Sequence, residues 1–124
     1  MNLSSEKRWL WFAFIVVSGV GSYLAFRHEP LPLLFEHSDK IVHFFGFFII
    51  SLILLKLSVL SIVSVFVLLT IVSFGTEFIQ MMELLPKRQA DWWDLLANFI
   101  GITLGLSFMY VVEFFKKISL INIE

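Results

Sequence analysis

The sequence predicts an all-α integral membrane protein, a bundle of four transmembrane helices with both termini on the same side of the bilayer. The chain has 124 residues and is 59% apolar, with a mean hydropathy of +0.91. A domain this small cannot bury so much apolar surface against itself. Charged residues gather in short segments that separate four apolar runs, each long enough to cross the hydrocarbon core. We therefore expect one transmembrane domain over residues 1–124.

The composition also limits the function. A formal net charge of −1 gives no support for nucleic-acid binding. The absence of cysteine excludes disulfides, thiol catalysis and cysteine-ligated metals. Fifteen Phe and four Trp suit helices that face lipid and are anchored at its surface. The partner that the composition predicts is therefore the membrane lipid bilayer.

The first two spans flank a proline-containing connector. Trp9–Phe26 carries no charge, and no small-residue cleavage motif follows it, so we expect a retained span and not a signal peptide. Pro30 and Pro32 exclude a continuous helix through the connector. Ser38 is expected to be the N-cap of the second helix, with Asp39 at the positive end of its dipole.

The last two spans are separated by a loop that contains Pro86. A very short turn at Lys56–Ser58 makes the second and third helices antiparallel neighbours. In the fourth helix, Gly101 and Gly105 form a G-x-x-x-G pair, which is typical of close helix packing. The four helices are expected over about residues 9–26, 39–56, 59–82 and 91–115.

Basic residues predict the orientation. The side that holds the termini carries five Lys and Arg residues and the opposite side carries four, and the free amino terminus adds to the first side. We therefore expect both termini in the cytoplasm. The loops over residues 27–38 and 83–90 then face outward.

Polar residues recur at intervals of three or four at the outward end of the second, third and fourth helices. Such groups are costly near lipid and need a partner or a role. Three interpretations stay open. The residues hydrogen-bond across helices and only set their packing, they form a binding or catalytic pocket, or His43 and carboxylates ligate a divalent ion. No specific metal-ligand spacing is present, so no residue is assigned to a metal.

We favour the second interpretation, an outward-facing pocket that binds or modifies a ligand with an anionic group. His43 suits acid–base chemistry near neutral pH, and Asp39 or Glu77 can orient it. These three are the candidate catalytic residues, although no reaction and no cofactor is assigned. A transporter is disfavoured because no broken helix or inverted repeat is evident. The candidate ligand-binding residues are Lys40, Gln80, Arg88, Asp91, Asp94 and Asn98, with Arg88 suited to hold the anion.

Three pieces of the sequence together resemble the VanZ-like family of small bacterial membrane proteins. They are D-K-I-V-H at 39–43, E-F-I-Q at 77–80 and R-Q-A-D-W-W-D-L-L-A-N-F-I-G at 88–101. The family pattern has an acid-Lys-x-x-His segment, then Glu-x-x-Gln, then Arg-x-x-Asp-x-x-Asp-x-x-x-Asn-x-x-Gly, in the same order. One departure is Phe47, where many members of the family have Tyr.

The resemblance implies a multi-pass protein of the bacterial cytoplasmic membrane with a role in the cell envelope. It also implies that the anionic ligand of the pocket is a lipid-linked or cell-wall molecule. The family takes its name from resistance to the glycopeptide teicoplanin, so a role in antibiotic resistance is also implied. No settled reaction belongs to the family. The alternative function is a structural or partner-binding membrane protein whose polar residues only fix helix packing.

Overall fold

The computed structural model of the protein describes residues 4–27, 32, 35, 37–82 and 89–121. All the regular elements in these ranges are helices, and each is long and apolar enough to cross a membrane. The predicted fold class, an integral membrane bundle of four helices, is confirmed. The helices are α1 (Ser5–Phe26), α2 (Ser38–Leu57), α3 (Ile62–Met81) and α4 (Trp92–Ile121).

Serine side chains cap the N-termini of two of the helices. The Oγ of Ser4 accepts from the amide of Lys7 at 3.4 Å, and the Oγ of Ser61 accepts from the amide of Ser64 at 3.1 Å. Each bond satisfies one of the amides that a helix leaves free in its first turn.

Four predicted helix boundaries need correction. Helix α1 begins at Ser5 and not at Trp9, and α3 begins at Ile62 and not at Val59. The predicted N-cap of α2 was wrong by one residue, because Ser38 is already helical and His37 precedes the helix with φ 66°. The predicted end of α4 was also too early, since the helix passes Lys116 and Lys117 and continues to Ile121. Lysine ends an apolar span but is itself a good helix former.

Helices α2 and α4 run in the same direction and pack closely. A Cβ at Gly101 would overlap the carbonyl oxygen of Phe44, and one at Gly105 would overlap the Ser51 hydroxyl and lie 2.8 Å from the Phe48 carbonyl oxygen. The two helices approach this closely only because both positions lack a side chain. The predicted close-packing role of the glycine pair is confirmed.

The interior of the bundle is mostly apolar in one half, where Ser51 is a buried polar residue, and polar in the other. Outside it, large apolar side chains are exposed on all four helices, the reverse of a soluble domain and as expected against lipid. The apolar half is a cluster of Val65, Leu69, Ile102 and Leu106. The polar half contains the buried residues Ser73, Glu77, Gln80, Asp94 and Asn98.

Candidate functional site

The polar residues predicted from the sequence meet at one end of the bundle, where α2 and α4 begin and α3 ends. Lys40, in the first turn of α2, lies among three carboxylates. Its Nζ donates to Asp39 Oδ2 at 2.7 Å, to Asp91 Oδ2 at 2.6 Å and to Asp94 Oδ1 at 2.8 Å. One ammonium group therefore joins the start of α2 to the start of α4. We call these four residues the lysine cluster.

Asp91 connects the lysine cluster to the start of α4. It stands just before the helix, and its Oδ1 accepts from the Trp93 amide at 2.9 Å, as an N-cap side chain does. The hydrogen bond from Lys40, supported by that from the Trp93 amide, holds the pKa of Asp91 below its ordinary value. Asp91 is therefore a fixed negative group that both starts the helix and binds the ammonium.

His43 lies one turn beyond Lys40 and is oriented by a buried asparagine. Its Nδ1 is 2.9 Å from Asn98 Oδ1, and because that oxygen can only accept, Nδ1 is the donor. Asn98 is fully buried and donates from Nδ2 to Ser73 Oγ at 2.9 Å. The other ring nitrogen, Nε2, faces Asp94 Oδ2 at 3.5 Å. These hydrogen bonds thus connect α2, α4 and α3, and they orient His43 so that Nε2 faces the Asp94 carboxylate.

Glu77 brings a buried carboxylate from α3. Only 6% of the residue is exposed. Its Oε2 accepts from the Asp91 amide at 3.2 Å. Its Oε1 has no hydrogen-bond partner among the described residues. A buried acceptor without a donor is costly and uncommon in folded proteins.

Two groups of ligand atoms at this end of the bundle are close enough to hold one cation each. The first consists of Asp39, Asp91 and Asp94, and the second, which we call the acceptor triad, consists of His43, Glu77 and Asp94. Within each group the ligand atoms lie within 4.8 Å of one another. The ammonium of Lys40 binds all three carboxylates of the first group. An imidazole with carboxylates is a donor set that zinc and similar divalent ions accept.

The charge at this site is strongly negative. Its described residues include four carboxyl groups and one ammonium, a formal charge of −3 when every carboxyl is ionised and His43 is neutral. Lys40 is already bound to three of these carboxylates. Little positive charge is therefore left on the described side chains of the site to attract an anion.

An open groove of about 330 Å³ lies beside the lysine cluster, between α2 and α4. We call it the α2–α4 groove. Its walls are apolar, and Lys40 and His37 are its polar members. This combination is typical of a surface that contacts an amphipathic molecule. The groove is lined by Phe35, His37, Lys40, Ile41, Phe44, Ala97 and Ile100.

The structure places one of the predicted site residues, Gln80, apart from the rest. Gln80 turns to α1, where its Nε2 donates to the carbonyl oxygen of Ala25 at 2.9 Å, so it pins two helices together. Arg88, the predicted anion ligand, lies outside the described residues. The predicted residues that do come together are Asp39, Lys40, His43, Glu77, Asp91, Asp94 and Asn98.

Sequence reasoning missed Ser73, which is buried and accepts from Asn98. A signal was present, because Ser73, Glu77 and Gln80 are spaced by four and three residues and therefore share one face of α3. A serine in an apolar helix is a weak signal on its own, and its partner Asn98 is 25 residues away along the chain.

Comparison with known proteins finds one informative relative. No protein-family model matches the chain, and no solved structure matches it. The relative is a protein of the fission yeast Schizosaccharomyces pombe, described as "Uncharacterized protein C11E3.10", which is 31% identical over 115 residues. The alignment covers 86% of this chain and 67% of the yeast protein.

The resemblance to the VanZ-like family is therefore wrong. No model of that family matches, and the similar protein is eukaryotic. The predictions that depended on the resemblance, namely a bacterial cytoplasmic membrane, an envelope role and teicoplanin resistance, lose their support with it. What stands is a multi-pass membrane protein, with four helices in the described part of the chain that are long and apolar enough to span a membrane.

Proposed function

Because the chain belongs to the same family as the uncharacterized fission yeast protein, whose name carries no activity, we propose a function from the geometry of the site. The protein binds a lipid or lipid-linked molecule that has an anionic headgroup. The apolar part of this ligand lies in the α2–α4 groove, and its headgroup reaches the polar end of the bundle. The cell-wall ligand expected from the sequence depended on the bacterial resemblance and is not proposed.

The observation that carries this proposal is that Lys40 belongs to both the groove and the lysine cluster. The groove is open on its outer side, and its walls are apolar side chains from two membrane-spanning helices. A lipid tail can therefore enter from the bilayer without losing its apolar surroundings. The headgroup then meets Lys40, whose ammonium can bind a phosphate oxygen in exchange for one of its three carboxylates.

A purely structural role is the second candidate, and two contacts favour it. Gln80 pins α3 to α1, and Asn98 bridges α2 and α3. Such hydrogen bonds are a common means of holding membrane helices together. A packing role does not require three carboxylates on one lysine, or a buried Glu77 oxygen that has no partner among the described residues.

Photolabelling in lipid nanodiscs tests the proposal. Purified protein in phosphatidylcholine nanodiscs is exposed to phosphatidic acid with a photoreactive group in its acyl chain, and the labelled residues are mapped by mass spectrometry. The neutral control probe is diacylglycerol with the same photoreactive chain. We expect labelling of α2 and α4 along the groove, at least tenfold stronger with phosphatidic acid.

Two variants of α4 make the test specific. Ala97→Phe fills the groove and should abolish the labelling. Leu96→Phe adds an aromatic ring at a neighbouring position that is exposed and does not line the groove, so it should label like the wild type. Equal labelling by the two lipids would refute the anionic headgroup. Labelling that Ala97→Phe leaves unchanged would refute the groove and favour the structural role.

A further inference from the structure

The acceptor triad brings one imidazole and two carboxyl groups together. His43 Nδ1 donates to Asn98 Oδ1, so Nε2 is the ring nitrogen that is left to bind an ion. That nitrogen faces Asp94 Oδ2 at 3.5 Å. Glu77 supplies the third group, and its Oε1 is buried without a partner among the described residues. A cation is the simplest species that satisfies all three at once.

The remaining polar atom of each triad residue is held by a hydrogen bond. Asn98 accepts from His43 Nδ1, Lys40 donates to Asp94 Oδ1, and the Asp91 amide donates to Glu77 Oε2. Ligands of bound metals are typically oriented in this way, by partners that bind the atom turned away from the ion. The three helices therefore hold His43, Asp94 and Glu77 close together before an ion binds, with their ligand atoms within 4.8 Å of one another.

The distance between His43 and Asp94 fits two ligands of one small ion. Metal–ligand bonds of about 2.1 Å at the tetrahedral angle separate two ligand atoms by roughly 3.4 Å, and Nε2 and Oδ2 are 3.5 Å apart. The neighbouring group of three carboxylates shows the same principle, since the Lys40 ammonium lies where a cation would bind. Asp94 belongs to both groups and gives one oxygen to each.

We infer that His43, Glu77 and Asp94 bind one divalent metal ion of the zinc or manganese class. Three protein ligands leave a further coordination position for an outside oxygen. This inference deepens the proposed function and, in that role, rests on it, because a divalent ion reduces the formal charge of the site and gives a headgroup phosphate a cation to bind. The sequence left a metal as an open alternative, since its ligands come from three different helices.

Metal binding is tested with the ion alone. Protein in phosphatidylcholine nanodiscs is stripped with a chelator, equilibrated with Zn²⁺ or Mn²⁺, and analysed by plasma mass spectrometry for metal per chain. The wild type should bind one ion per chain. His43→Asn and Glu77→Gln should each lower the affinity at least tenfold.

Two carboxylate variants serve as matched controls. Asp39→Asn removes a carboxylate that binds Lys40 and does not belong to the acceptor triad, and Glu113→Gln removes an exposed carboxylate of α4 that is paired with Lys116. Both should bind metal like the wild type. Metal binding that survives Glu77→Gln, or that falls equally in Asp39→Asn, would overturn the inference.

X-ray absorption spectroscopy on the wild-type protein tests the metal site without any variant, so its result does not depend on whether the variants fold. One imidazole nitrogen among oxygen ligands is expected, and a shell of oxygen alone would refute the site. The two proposals also fail separately. Selective lipid labelling without bound metal would refute the metal site and support the lipid proposal. Bound metal without selective labelling would refute the lipid proposal and support the metal site.

Discussion

The contact between α2 and α4 can be tested at Gly101. Gly101→Ala adds one carbon, which would overlap the Phe44 carbonyl oxygen and lie 3.1 Å from the Phe48 amide nitrogen. Both neighbours are backbone atoms, so no side-chain rotation relieves the overlap and the helices must separate. Overpacking of this kind costs about 1–3 kcal/mol of the free energy of unfolding.

Gly75→Ala in α3 is the matched control, because a Cβ there would meet no described atom within 4 Å. Both substitutions replace a helical glycine and gain about 1 kcal/mol of helix propensity. This gain cancels when the two variants are compared. Gly101→Ala should therefore be less stable than Gly75→Ala by about 1–3 kcal/mol.

The assay is reversible unfolding in mixed detergent micelles, followed by circular dichroism. Gly105→Ala should fall between the other two variants, since one atom that it meets is the Ser51 hydroxyl, which can rotate away. Adding Ser51→Ala should recover part of the stability of Gly105→Ala and none of the stability of Gly101→Ala. If Gly101→Ala and Gly75→Ala are equally stable, the close approach of α2 and α4 is refuted.

Two further substitutions test the polar end of the bundle. Asn98→Leu removes the hydrogen bonds to His43 and Ser73, each worth roughly 0.6–1.7 kcal/mol, and should lower the free energy of unfolding by about 1–3 kcal/mol. Thr103→Val, at an exposed position of the same helix, is its control. An equal loss of stability in Thr103→Val would contradict the bridging role of Asn98. Lys40→Met leaves three carboxylates, two of them more than a third exposed, without their cation. It should cost about 1–3 kcal/mol, so less folded protein should reach the membrane. Lys56→Met, which removes an exposed pair at 3.8 Å, is its control, and equal yields in fluorescence-detected size-exclusion chromatography would speak against the lysine cluster.

The four spans were predictable because each is a long apolar run between charged segments. Local spacing also predicted which polar residues share a helix face, since residues three and four apart are neighbours on a helix. Glu77 with Gln80 and Asp94 with Asn98 are such pairs. All four are buried, as a shared interior face requires.

The contacts between helices were not predictable from spacing. The short turn after Lys56 places α2 beside α3, but the most extensive packing of α2 is with α4. That pairing depends on the fit of Gly101 against the backbone of Phe44, which only the folded chain shows. For the same reason, residue spacing predicted that Gln80 belongs to the site, but in the structure its side-chain amide donates to the carbonyl oxygen of Ala25 on α1.

The glycine contact and the polar site depend on one another. Gly101 follows Asp94 by two turns, about 10 Å along α4, and Phe44 adjoins His43 on α2. The contact between Gly101 and Phe44 therefore fixes the register in which His43 meets Asp94. A slip of one residue would move α4 by about 1.5 Å and turn it by about 100°, enough to break hydrogen bonds of 2.6–2.9 Å.

This coupling works in both directions. An ion that binds only the assembled acceptor triad stabilises the packed helices by mass action, by about 2.7 kcal/mol at a hundred times its Kd. Unfolding with and without Zn²⁺ therefore measures the site through the packing that positions it. Glu77→Gln should remove the dependence on metal while leaving the α2–α4 contact in place, because Glu77 lies on α3 and the glycine contact does not involve that helix.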